Sequence, residues 1–213
     1  MYLAGMNAIA ITCDIKALLA GIKPLFVDPQ GCWNRIAAEN RPPLELKKKL
    51  VLPLSILGAL SLFLSHFFWG ISDRDLGVMY PNVTALLPVI IMSVFEPLVR
   101  IQLAALVLQK FASFFGGSPH FNSVFALAAY SSVPGLLGAV LRIIPDGGAA
   151  LFWVFSIFGL YVFYCGVPLM TQVPLQKRVG FFISSVGATI ALQYCAELIL
   201  SGFYPSPASL IAP

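Results

Sequence analysis

A chain of 213 residues that is 59% hydrophobic and only 10% charged carries too much apolar surface for a soluble domain, whose charged share is nearer a quarter. The formal charge of +4 is small and calls for no nucleic-acid partner. Crossing a hydrocarbon core of roughly 30 Å takes about 20 apolar residues as a helix, and five stretches qualify: 50–71, 84–109, 121–144, 149–170 and 181–203. A membrane barrel would instead show segments of about ten residues alternating apolar and polar. These runs do not alternate, and backbone groups in lipid must pair within the segment, so the expected class is all-α and polytopic.

Residues 1–12 are apolar but lack the basic start and cleavage site of a signal peptide, and read as a loose extension. Residues 1–49 form a cytoplasmic segment and 50–213 a five-helix transmembrane domain. Within the first, "DIKALLAGIKPLFVDPQGCWNRIAAE" predicts two short helices, with Asp14 capping one and Asp28 followed by Pro29 starting the other. Leu18, Leu19 and Ile22 recur at helical spacing, as do Trp33 and Ile36, beside Lys16, Lys23 and Arg35. That pattern suits helices lying in the membrane interface; a pair docked on the cytoplasmic ends of the spans is the alternative. Trp33, Lys47, Lys48 and Lys49 are the interfacial anchors, the lysines against anionic headgroups.

Orientation follows from the cations. Seven precede the first span (Lys16, Lys23, Arg35, Arg41 and Lys47 to Lys49), Lys110 follows the second, and Lys177 and Arg178 follow the fourth; only Arg74 and Arg142 fall on the other side. The positive-inside rule then puts the N-terminus inside and, after five spans, the C-terminus outside.

In the second span, "SVFEPLVRIQ" places Glu96 and Arg100 on one helix face, acid first, one turn apart. Counted from Thr84, Glu96 lies about 18 Å deep and Arg100 about 24 Å, close enough to the cytoplasmic face to snorkel. Pro97 removes the amide that the Ser93 carbonyl would use, so a kink is expected at the acid. An intramembrane acid is costly enough to need company. Arg100 and the hydroxyls of Tyr130, Ser131 and Ser132 on the third span are the expected partners, making Glu96 a node that pins the bundle; alternatively the acid binds a cation or carries a proton.

The third span opens through "SPHF", with Ser118 as cap and Pro119 in the first turn, and Pro134 and Gly135 kink its centre. Spans two and three are expected to face each other. In the fifth span Gly187, Ala191 and Cys195 form a stripe of small residues suited to close helix approach, within the chain or with a second copy.

No catalytic residue, cofactor site or metal site is expected. Cys13, Cys32, Cys165 and Cys195 have neither zinc nor disulfide spacing, and His66 and His120 stand alone. "FGGSP" lacks the lysine and preceding strand of a phosphate loop.

"DPQGCWNRIAAE", "FASFFGGSPHFNSVFALAAYSSVPGLLGAVLRIIP", "YVFYCGVPLM" and "VPLQKRVGF" together resemble the bacterial branch of the Ypt-interacting protein (Yip) family, over nearly the whole chain from about Asp14. The resemblance implies five spans and a cytoplasmic N-terminus in the bacterial cytoplasmic (inner) membrane. Eukaryotic relatives bind Rab-type GTPases and carry an Asp-Leu-Tyr-Gly-Pro motif ahead of the first span; this chain has none, so GTPase recruitment is not expected. The expected function is a non-enzymatic scaffold or adaptor contacting lipids, other membrane proteins or a second copy, with a small permease or proton-coupled channel using Glu96 as the alternative.

Overall fold

The computed structural model describes residues 15–73, 77–80, 82–145 and 147–201. Residues 1–12, Cys13, the expected cap Asp14, Arg74, the Glu197 side chain and the C-terminal 202–213 lie outside the described set.

Among the described residues there are seven helices: α1 (Ile15–Val27), α2 (Pro29–Glu39), α3 (Pro43–Trp69), α4 (Val83–Phe114), α5 (Phe121–Val140), α6 (Gly148–Thr171) and α7 (Arg178–Ser201). Four are long and apolar enough to cross a membrane, within Pro43–Trp69, Leu86–Phe114, Phe121–Ile143 and Gly148–Thr171. The loop expected after the first span contains an antiparallel hairpin of β1 (Ile71–Asp73) and β2 (Gly77–Met79), in register Ile71 to Met79.

Local chemistry sets the helix ends. Asp28 caps α2 as expected, its Oδ1 accepting from the Gly31 amide at 3.0 Å with Pro29 in the first turn. Gly70 ends α3 at φ 70°, a backbone state that costs glycine least. Pro53 has no amide to return to Lys49, and a π turn over Lys47–Val51 absorbs the loss; Leu52 N–H reaches Lys47 O instead. The start of α5 departs from expectation: its cap is His120, and the Ser118 hydroxyl reaches the Gln172 side chain at 3.1 Å rather than the helix.

At the centre lies α5. Val124, Phe125, Leu127, Ala129 and Val133 are fully buried around its circumference, so neighbours enclose it from several sides. On one side α4 presents Ile101, Ala105, Leu108 and Ala112, a ridge at helical spacing that confirms the expected pairing of the second and third spans. On another, α6 comes very close because Gly159 has no side chain: a Cβ there would sit 2.7 Å from Ser131 O.

Trp33, expected at the interface, is fully buried. Its Nε1–H donates to Val162 O of α6 at 3.0 Å, and its ring meets Tyr130 edge-on at 6.2 Å. Gly166 opens the slot, since a Cβ there would lie 2.5 Å from the indole. Phe26 of α1 stacks at 5.2 Å on Phe158, one turn before Val162 and about 20 Å along α6 from Thr171. Thus α1 and α2 form a pair packed alongside α6, reaching further along it than either an interfacial pair or one docked on the ends of the spans would. The physical reason is accounting of polar groups: an indole N–H in an apolar slot needs an acceptor, and a backbone carbonyl of α6 supplies it.

The lysines keep their expected place at the start of α3. Lys48 and Lys49 are exposed, Lys49 pairs with Glu45 at 2.9 Å, and Lys47 lies over the Phe125 ring at 5.5 Å.

Candidate functional site

Arg100 on α4 donates from Nη2 to the Glu96 carboxylate, the i to i+4 pair read from the sequence. The helix runs unbroken through Pro88 and Pro97. Both side chains remain a little over one third exposed, so the pair flanks the bundle instead of being sealed within it.

The expected hydroxyl partners do something else. Ser131 and Ser132 both donate to Ala128 O of their own helix, at 3.2 and 2.7 Å, and Tyr130 is buried against Trp33. An intrahelical carbonyl lies always within reach of a serine one turn on, and here it takes the hydroxyl hydrogen. Pro134 is buried in the middle of α5.

Depth also changes. At 32 residues α4 is about 48 Å long, well beyond a 30 Å core, so counting from its first residues overstates how far in Glu96 lies. Counted from the turn joining α4 to α5, Arg100 is about 21 Å along and Glu96 about 27 Å. Of the two, Glu96 lies nearer the end of α4 opposite Lys47.

Beside the pair is a cavity of about 400 Å³ bounded by α4, α5, α6 and α7. Pro97 and Arg100 contribute from α4 and Gly135 from α5. Five hydroxyls line it: Ser131 and Ser132 on α5, Ser156 on α6, Ser185 and Thr189 on α7. Sequence reading singled out Ser131 and Ser132 but missed the other three. The signal that was available is that three different apolar runs each carry a serine or threonine well inside them.

Among the described residues no buried side-chain nitrogen or oxygen lacks a partner, and no group of three or more His, Cys, Asp or Glu could hold a metal ion. Outside the spans, burial pushes the Cys32 thiol above its ordinary range, against a smaller opposing pull from Arg35, whose guanidinium lies 3.8 Å from the sulfur. Among the described residues the small-residue stripe of α7 is uncovered: a Cβ at Gly187 would have no neighbour within 4 Å, and Ala191 and Cys195 are exposed.

Residues 23–196 match the Yip1 domain, which takes in the end of α1, all of α2 and the lining of the cavity. The chain belongs to the Yip1 domain family. Being a Yip1-domain chain with helices of membrane-crossing length and composition, it is an integral membrane protein. No curated protein and no solved structure matches it.

Proposed function

We propose that this Yip1-domain protein is a non-enzymatic scaffold or adaptor of the bacterial cytoplasmic membrane, crossing it five times with the N-terminus inside. One observation carries the reading. Every buried side-chain nitrogen and oxygen of the described residues has a partner, while long apolar faces stay uncovered: Phe95 and Val99 on α4, Trp153 and Ile157 on α6, Ile183 and Ile190 on α7. Polar groups hold the bundle together and apolar faces meet lipid or protein.

Three further features support the topology. The fifth span is α7, 24 residues long, as α6 is. Lys47 to Lys49, Lys110, Lys177 and Arg178 all fall at one end of the bundle, which the positive-inside rule makes cytoplasmic. The uncovered stripe at Gly187 and Ala191 suits contact with another membrane helix, from a second copy or a different protein.

The second reading, a small permease, is favoured by the cavity beside Arg100, because transporter sites lie near the bilayer midplane. Reconstituted liposomes separate the two. The scaffold reading predicts no proton or cation flux from the wild type at any pH, and a lowered melting temperature for Glu96→Gln. Flux that is present in the wild type and lost in Glu96→Gln at unchanged melting temperature would overturn it.

A further inference from the structure

The cavity carries an inference beyond the scaffold reading, because its chemistry selects a ligand. Its five hydroxyl hydrogens are all spent inside their own helices: Ser131 and Ser132 on Ala128 O, Ser156 on Phe152 O at 2.8 Å, Ser185 on Phe182 O at 3.1 Å, and Thr189 on Ser185 O at 2.8 Å. What each retains is oxygen lone pairs, so the wall offers acceptors from three helices. Arg100 carries the only formal charge on the lining, and Glu96 neutralises it. Gln193 and Arg100 add amide and guanidinium groups to the same wall, so a ligand with hydroxyls and no net charge suits it. An anionic headgroup would have to displace Glu96, and a cation would meet Arg100.

Access is lateral. Trp153, Ile157 and Ile190 belong to the lining yet are each more than 60% exposed, so the space opens between α6 and α7 toward the lipid side. From the α4–α5 turn the polar lining spans about 10 to 23 Å along the helices, the middle of a 30 Å core. A solute arriving through that mouth must cross hydrocarbon and so needs an apolar tail. The volume of about 400 Å³ falls within the range of small-ligand sites.

We propose that this cavity binds a neutral, hydroxyl-bearing lipid of the monoacylglycerol class, with its two hydroxyls donating to oxygens among Ser131, Ser132, Ser156 and Thr189 and its chain leaving past Trp153 between α6 and α7. No covalent step is involved.

Trp153 reports on the mouth. In a Trp69→Phe variant it is the exposed tryptophan, because Trp33 is fully buried. The full chain is placed in phosphatidylcholine nanodiscs and titrated with a brominated monoacylglycerol, and separately with the brominated methyl ester of the same chain. Expected is saturable quenching by the first at a low mole fraction and only a linear rise with the second. Ser132→Ala/Ser156→Ala/Thr189→Val, whose lost hydrogen bonds are all intrahelical, weakens binding about tenfold. Gly135→Leu keeps the test sound should the triple variant not fold: its Cβ would meet only the Ser156 hydroxyl, at 3.6 Å, and its side chain fills the cavity and removes the saturable component.

Equal quenching by the methyl ester overturns the hydroxyl recognition. Displacement by phosphatidylglycerol overturns the neutrality, and displacement by free glycerol overturns entry from the lipid. Linear quenching by every lipid means annular contact only and removes the site.

Discussion

Glu96 and Arg100 neutralise one another within a single helical turn, while both keep a little over a third of their side chains exposed. Replacing one member strands a charge at the edge of hydrocarbon, whereas replacing both leaves none. Glu96→Gln is expected to lose about 1–2 kcal/mol in detergent, the worth of an incompletely sealed charge-assisted bond. The double variant Glu96→Leu/Arg100→Leu should be more stable than Glu96→Gln, which a thermal-shift series in one detergent measures. Cys32 gives a residue-scale prediction with a defined sign. Burial disfavours its thiolate, so in a variant retaining only that cysteine, maleimide labelling is slow at neutral pH and accelerates only above the ordinary thiol range. Unfolding in dodecyl sulfate should abolish the delay, and rapid labelling of the folded protein at neutral pH would contradict the burial of α2. The acid-first spacing made the ion pair legible in the sequence. That Ser131 and Ser132 give their hydrogens to a carbonyl one turn back was not, because no sequence pattern distinguishes that carbonyl from one across the bundle.

Among the elements, the α1–α2 hairpin departs furthest from expectation. Amphipathic spacing around Trp33 predicted a helix that rests on something apolar, and the pattern is the same whether that surface is lipid or α6. The Gly166 slot decides between them, and a glycine in an apolar run does not announce what fills its space. Trp33→Phe keeps most of the ring and loses the donation to Val162 O, for an expected cost of about 1 kcal/mol. Trp33→Ala should cost about 3–5 kcal/mol through the cavity it leaves. Gly159→Ala tests the α5–α6 contact, since its methyl would lie 2.7 Å from Ser131 O and overpacking of this kind costs about 1–3 kcal/mol. Gly187→Ala, which meets none of the described residues, should leave the melting temperature unchanged; equal loss at Gly159 and Gly187 would contradict the packing described.

For the whole molecule, continuous apolar runs made the helices legible, and their expected limits agree with α3, α5 and α6 to within a few residues at most ends. The start of α4 also agrees, and its run on from 109 to Phe114 was not legible, because Lys110 is as compatible with a helix that continues past a membrane boundary as with one that stops there. Membership of the Yip1 family and the distribution of lysine and arginine converge on one proposed topology, with α1 and α2 entering from the cytoplasmic side and returning to it. The most direct measurement is substituted-cysteine labelling in intact cells on a cysteine-free background, with single cysteines at Lys48, Ser118, Gln176 and Ser206. Five crossings predict protection of Lys48→Cys, Ser118→Cys and Gln176→Cys from a membrane-impermeant maleimide, and labelling of Ser206→Cys. Protection of Ser206→Cys together with the other three, in cells where all four are labelled after permeabilisation, would place both ends on one side and contradict the five-span account.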